Sequence, residues 1–373
     1  MKKNLLILFS LSFFVFPFFS QEIKFSGEVG TVWGMAVRSE NRGDFILGDT
    51  YVKGKLDAFY EKSSAYAEGK VGFDEVAGSA YYSLREIWLD YTSDFWGIRI
   101  GRQKTAWGKA DGIDITNVIC PHDYSSTIAI FNDEYRAIDA ARLSLNNGNF
   151  SLDAYVIPFT DFAEKKLANA EYGIKCSGYF SHCDFSLYGF YGFDETPFYP
   201  SGEYEKITMF GSDFAIPLGE AVLRLEGAFF PARHFQTSAE KILLGKSISE
   251  THHNIRALAG IDWMPSSWTL TAQYFCDGLF GATENLFRTE NYTHGATLSV
   301  SKSLFNETLT LSASGVLNLN DFDSALEFSA EYSLSDSIFI EAGGYIFNEG
   351  KESGVYGAYK NLSCAYLKAR YVF

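Results

Sequence analysis

The chain has 373 residues, 17% of them aromatic, and a formal net charge of -15 at neutral pH. So acidic a balance excludes nucleic acid as a partner, because phosphates require a basic stripe. Mean hydropathy is only -0.06 despite 34 Phe and 23 Tyr, which excludes a bundle of apolar helices and points to strands with one apolar and one polar face.

The first element is a leader. Lys2 and Lys3 precede an apolar run from Leu5 to Phe19, and Ser20 stands before the polar Gln21-Glu22. That is the layout of a cleaved secretory signal, residues 1–20, although Phe18 occupies a position where a small residue is usual. Its loss removes two lysines and leaves the remainder, 21–373, more acidic still. This remainder reads as one domain, with no repeat, low-complexity tract or linker.

From Ile23 to Val37 the residues alternate. Ile23, Phe25, Val29, Trp33, Met35 and Val37 share one face, with Lys24, Ser26, Glu28 and Gly30 on the other. The same period-2 pattern recurs about eighteen times, with sixteen as the alternative. Short connections are expected at 61–63, 93–95, 146–149, 181–182, 217–220, 265–267, 302–307 and 334–336. Longer ones are expected at 38–43, 74–82, 105–134, 158–170, 194–205, 231–252, 277–291, 319–322 and 348–357. Short and long alternate throughout, as periplasmic turns and extracellular loops do in a membrane barrel. The expected fold is all-β: a transmembrane, antiparallel, up-and-down β-barrel, closed because an open edge cannot sit in hydrocarbon.

Read by parity, the inward face carries Glu86, Asp90, Arg99, Arg142, Asp153, Arg224, Glu226, Arg256, Asp262, Glu327, Glu331, Glu341, Lys368 and Arg370. A packed core would not accept so many ionised groups, so water or mutual pairing must solvate them. Barrels of sixteen to eighteen strands leave an aqueous channel.

Residues 105–134 form the longest connection. It holds Trp107, Ile113, Ile115, Val118, Ile119, Tyr124, Ile128, Ile130 and Phe131, side chains that want something to pack against. Lys104, Lys109, Asp111, Asp114 and Asp123, with His122, Asp133, Glu134 and Arg136, give it charge of both signs. Folded inward, such a loop would act as a constriction. Carboxylates facing arginines across a pore create a field that sorts solutes by charge. Asp111-Gly112-Ile113-Asp114 lacks the rest of a calcium loop, so no metal is expected.

Cys120, Cys176, Cys183, Cys276 and Cys364 have no framework spacing and read as fillers, with hairpin register pairing Phe180 and Cys183. The six histidines, among them the adjacent His252-His253, join no Gly-x-Ser-x-Gly or His-Glu-x-x-His pattern, so neither an enzyme nor a cofactor is expected. In the last strand Leu367, Ala369, Tyr371 and Phe373 alternate with Lys368, Arg370 and Val372.

That final strand resembles the C-terminal assembly signal of bacterial outer-membrane proteins, which ends in Phe behind alternating apolar residues. The stretch from Gly101-Arg102-Gln103, across residues 96–125, resembles the post-strand motif of porin-like families, among them the alginate-export type with eighteen strands. The resemblance implies a barrel in the outer membrane of a diderm bacterium and a third loop folded into the pore. It also implies outer-membrane lipid with a lipopolysaccharide-type surface, the barrel-assembly machinery and small solutes as partners. Homotrimer and monomer both stay open. One departure is that Ile98 and Ile100 place Arg102 on the lipid side by parity, unless a bulge or the strand end intervenes. The expected function is passive diffusion of small hydrophilic solutes. The alternatives are a loop-plugged transporter of hydrophobic or saccharide substrates, and a surface adhesin or structural barrel.

Overall fold

A strand with one apolar face is stable in lipid only if both its edges are paired, since each unmet backbone group in hydrocarbon costs several kcal/mol. The computed structural model describes residues 22–120, 122, 135–351 and 354–373; the leader and Asp123 lie outside them. Eighteen antiparallel strands satisfy the pairing rule. β1 (Glu22–Ala36), β2 (Phe45–Tyr60), β3 (Ser63–Asp74), β4 (Ser79–Thr92) and β5 (Trp96–Gln103) lead to the longest loop. β6 (Ile138–Asn147), β7 (Phe150–Phe159), β8 (Glu171–Phe180), β9 (Cys183–Phe193), β10 (Lys206–Leu218), β11 (Ala221–Gln236) and β12 (Ser249–Trp263) follow. β13 (Trp268–Phe280), β14 (Tyr292–Leu304), β15 (Leu309–Asn318), β16 (Ser324–Ser335), β17 (Ile338–Asn348) and β18 (Cys364–Val372) complete the set. β18 returns to β1, from Glu28 opposite Val372 to Ala36 opposite Cys364, and closes the barrel.

The connections alternate in length as expected, with three adjustments. The segment expected to be long at 74–82 is a tight turn, because β3 runs to Asp74 and β4 begins at Ser79. The loop expected over 231–252 is mostly strand. A register shift between Phe230 and Arg233 absorbs Pro231 and lets β11 continue to Gln236. Only residues 237–248 remain outside, with a short helix, α1 (Ala239–Leu243). Likewise, β13 continues to Phe280, shortening the expected 277–291 connection. At the short-turn end, Gly148, Gly219 and Ser266 take the left-handed backbone that tight turns demand.

Parity holds along the outer face. Phe25, Trp33, Leu89, Ile100, Phe210 and Leu298 are all exposed large apolar residues, the belt a lipid bilayer covers. Phe373 docks at the closing seam. Its backbone exchanges two hydrogen bonds with Gly27, of 2.8 and 3.0 Å. Its ring lies where a Cβ on Gly27 would come within 2.5 Å of it. Leu367 and Tyr371 are exposed beside it, and Ala369 faces the same side. The five cysteines are free, and Phe180 does pair with Cys183.

Candidate functional site

The barrel interior is entered by residues 104–120 of the connection from β5 to β6. Its entry is fixed by three residues. Gly101 has φ +134°, and a Cβ there would meet the Ile87 carbonyl at 2.3 Å, so only glycine fits. Gln103 is buried, and its Nε2 donates to the Ala140 carbonyl at 2.9 Å. The Lys104 N–H then donates to Glu86 Oε2 at 2.9 Å, turning the chain into the lumen. Arg102 stays in register with the lipid-facing Ile87, as parity requires, and no bulge relieves it. Asp139 on β6 neutralises it, at 3.5 Å.

Inside, the loop packs on the wall. Trp107 is 3% exposed. Its ring stacks on Tyr188 of β9 at 4.9 Å and meets Tyr155 of β7 and Phe190 of β9 edge-on. Ile115 and Ile119 join the same apolar cluster, which reaches Met209 and Phe230 on β10 and β11. These wall residues face inward yet are apolar, and sequence parity had given no reason to single them out. Burying this many large side chains stabilises the docked loop at roughly 1.5–3 kcal/mol each.

Polar anchors complete the docking. The Glu226 carboxylate accepts the N–H groups of Lys109 and Ala110, and the Thr116 hydroxyl at 3.2 Å. Gly108, at φ +85°, leaves room for this, since a Cβ would sit 2.8 Å from the carboxylate oxygens. Arg224 donates to the Lys109 carbonyl and pairs with Asp262. Lys109 Nζ reaches Asp213, a fully buried acid that also accepts the Tyr188 hydroxyl. Glu226 and Arg224 therefore point inward but hold the loop, and Glu226 is only 5% exposed.

The loop's acidic residues differ. Asp111 is exposed. Asp114 accepts Asn117 Nδ2 at 3.2 Å and the Tyr135 hydroxyl at 3.3 Å. Burial raises its carboxyl above the ordinary range, against the pull of those donors, His122 and Arg256. His122 and Tyr135 bridge the base of the loop. Arg256 acts on Asp114 from the wall and belongs to an arginine group that parity identified only in part. Arg256 pairs with Asp277 at 3.0 Å, Arg288 joins the same carboxylate, and Arg233 beyond the bulge holds Asp194 at 2.6 Å.

Several of the other inward charges are matched among themselves, while Asp153 and Glu327 accept the Ser144 and Ser314 hydroxyls. Asp90 binds Arg99 at 2.9 Å and lies 3.7 Å from Arg142. The Arg99 guanidinium rests 3.6 Å over the Trp88 ring. Lys368 pairs with Glu341 at 3.2 Å, and Arg370 with Glu331 at 2.7 Å. Sequence reading missed Arg85, the extra residue at a register shift opposite Glu68 and Gly69. It turns inward to Glu68 at 2.7 Å. Among the described residues, no group of three metal-ligating side chains gathers.

No family model matches the sequence, and no curated protein matches it. Solved structures do. OccK8 (OprE) of Pseudomonas aeruginosa superposes with a TM-score of 0.59 at 10% identity, over 95% of this chain and 99% of that one. The outer membrane protein opdK of the same organism gives 0.59 at 8% identity, over 95% and 100%. OccAB3 of Acinetobacter baumannii gives 0.57 at 11%, over 94% and 99%. At these identities the likeness is one of architecture, and the chain has the closed-barrel fold of these outer-membrane proteins.

Proposed function

We propose that this chain is an outer-membrane channel through which small hydrophilic solutes diffuse passively, narrowed inside by the loop 105–134. One observation carries the reading: an apolar belt outside surrounds a lumen whose wall holds ionised pairs from many strands. That combination suits a barrel with water inside it. The docked loop supports the narrowing, since it brings Asp111 and Asp114 toward a wall that carries Arg256. A transverse field of that kind sorts solutes by charge. The closed-barrel fold shared with OccK8 and with the outer membrane protein opdK agrees with the same reading.

Residues 1–20 would direct export and be removed. Leu367, Ala369, Tyr371 and Phe373 would be read by the barrel-assembly machinery, and the outer rim would meet lipid of the lipopolysaccharide type. The chemistry requires no cofactor. Planar-bilayer recording of the purified barrel, with reversal potentials in a salt gradient, tests the proposal. Discrete conductance steps are expected, grouped in threes for a homotrimer. A folded, heat-modifiable protein that never conducts and excludes small sugars overturns it.

A further inference from the structure

The long-loop end holds a second segment that turns inward. Residues 354–363 follow β17 and contain the 3-10 turn Gly357–Leu362. Tyr356 and Leu362 pack against the lumen-facing cluster formed by Tyr345, Phe347, Cys364 and Tyr366. Ile113, beside Asp111 and Asp114 in the long loop, packs against that cluster and also against the one around Trp107. Two separate loops thus meet one apolar surface.

The segment is held by named contacts. Asp323, fully buried between β15 and β16, accepts the Tyr356 N–H at 2.6 Å and the Gly357 N–H at 3.4 Å. Gly354 passes so close that a Cβ would lie 2.3 Å from the Asp323 carboxylate. From the first loop, Arg38 donates to the Phe347 carbonyl, to Asn348 Oδ1 at 3.1 Å and to Ser363 Oγ at 3.4 Å. A buried carboxylate that accepts two backbone N–H groups fixes a chain turn strongly, because its removal leaves those donors unmet.

We propose that residues 354–363, latched by Asp323, are the second jaw of the constriction, and that Ile113 closes against the cluster beneath them. The width of the path is then set by two loops, and Asp323 is a positioning residue for it. The apolar contact excludes water at the level of Tyr345, Phe347 and Cys364, on the long-loop side of the Glu341–Lys368 and Glu331–Arg370 pairs. Hydrated solutes are left the polar wall of β1 to β5. This inference rests on the channel reading above.

The full-length barrel serves for the test, as wild type, Asp323→Ala, Ile113→Ala and the double variant. Cys364 is 2% exposed under the segment, so a hydrophilic maleimide, with labelling mapped by mass spectrometry, should spare it in wild type. Asp323→Ala should lose that protection. Single-channel conductance should rise in each single variant, and the double should rise no further than the larger single, because both act on one contact. If Asp323→Ala is heat-modifiable and labels at Cys364 yet conducts as wild type does, the second jaw is refuted. Should that variant fail to fold, unchanged conductance in Ile113→Ala refutes it equally. A silent wild type with a conducting Ile113→Ala supports the jaw while it removes the open-channel reading. A conducting wild type with every variant unchanged does the reverse.

Discussion

The two halves of the lumen solve the same problem in opposite ways. On the β7–β11 side the wall is apolar at the level of Tyr155, Tyr188, Phe190 and Met209, and its few charges are bound by a loop that covers them. On the β4–β6 and β16–β18 side charges answer charges across neighbouring strands, as Asp90 does with Arg99 and Glu331 with Arg370. A carboxylate in the first half is dry and bound by backbone donors. One in the second half is held by an arginine or lysine side chain of a nearby strand and keeps part of its surface open. The inward parity of a residue therefore fixes where it points and leaves open what it does.

The largest effect should come from undocking the loop. Trp107→Ala removes a buried aromatic from the wall, a change that costs ~3–5 kcal/mol. Glu226→Ala leaves the Lys109 and Ala110 N–H groups and the Thr116 hydroxyl without their acceptor, at ~1–3 kcal/mol each. Either change should raise single-channel conductance and weaken ion selectivity while the barrel stays heat-modifiable, since neither breaks the strand ladder. Wild-type conductance in a folded Glu226→Ala barrel would mean that the loop is not the narrowest point.

The next effect is on selectivity alone. Asp111→Asn with Asp114→Asn should shift the reversal potential toward anions, because charge in a narrow, partly dry passage is screened less than at an open surface. Glu240→Gln with Glu250→Gln, in and beside the outer 237–248 loop, should do much less. Equal shifts from the two pairs would assign the field to the whole barrel. Acidification provides the matching test. Burial raises the Asp114 carboxyl, which is faced by His122 and Tyr135 on its own loop, by Arg256 from β12 and by Glu195. A raised carboxyl takes up its proton at higher pH than an exposed one. Cation preference should thus begin to fall above the ordinary carboxylate range, and that early fall should shrink in the Asp114→Asn barrel, leaving the part that belongs to Glu195, which burial raises to about 7.

The barrel itself was legible in the sequence because alternation, turn residues and loop asymmetry are local and repeat in every hairpin. The turn at 75–78 and the continuation of β11 past Pro231 were not, since a register shift is decided by the partner strand. In the loop, Trp107 signalled packing by its size alone. Its partners Tyr155, Tyr188 and Phe190 lie dozens of residues away, and alternation cannot say which inward aromatics a loop will cover. Arg85 and Arg233 were missed for a related reason. Each sits at a register shift, where the simple odd-even rule gives the wrong face or none.

The smallest effect should come from the paired wall. Asp90 lies three residues before the turn at 93–95, toward the short-turn end of the barrel, and its charged partners belong to the wall and not to the long loop. Asp90→Asn removes the carboxylate shared by Arg99 and Arg142 and leaves two arginines facing water. A solvent-exposed ion pair contributes only ~0.2–1 kcal/mol; these side chains are part-buried, Asp90 at 11% and Arg99 at 22% exposure, so the loss lies toward or above the top of that range. Arg99 also keeps its seat over Trp88. Heat-modifiability should be almost unchanged. The reversal potential should move slightly toward anions, because the two freed charges act across a wide section where salt screens beyond a Debye length of about 8 Å. A shift as large as that of the Asp111 and Asp114 pair would place the selective field low in the barrel and end the contrast between the halves. A small shift that disappears in high salt is the expected signature of a charge that lines an open passage.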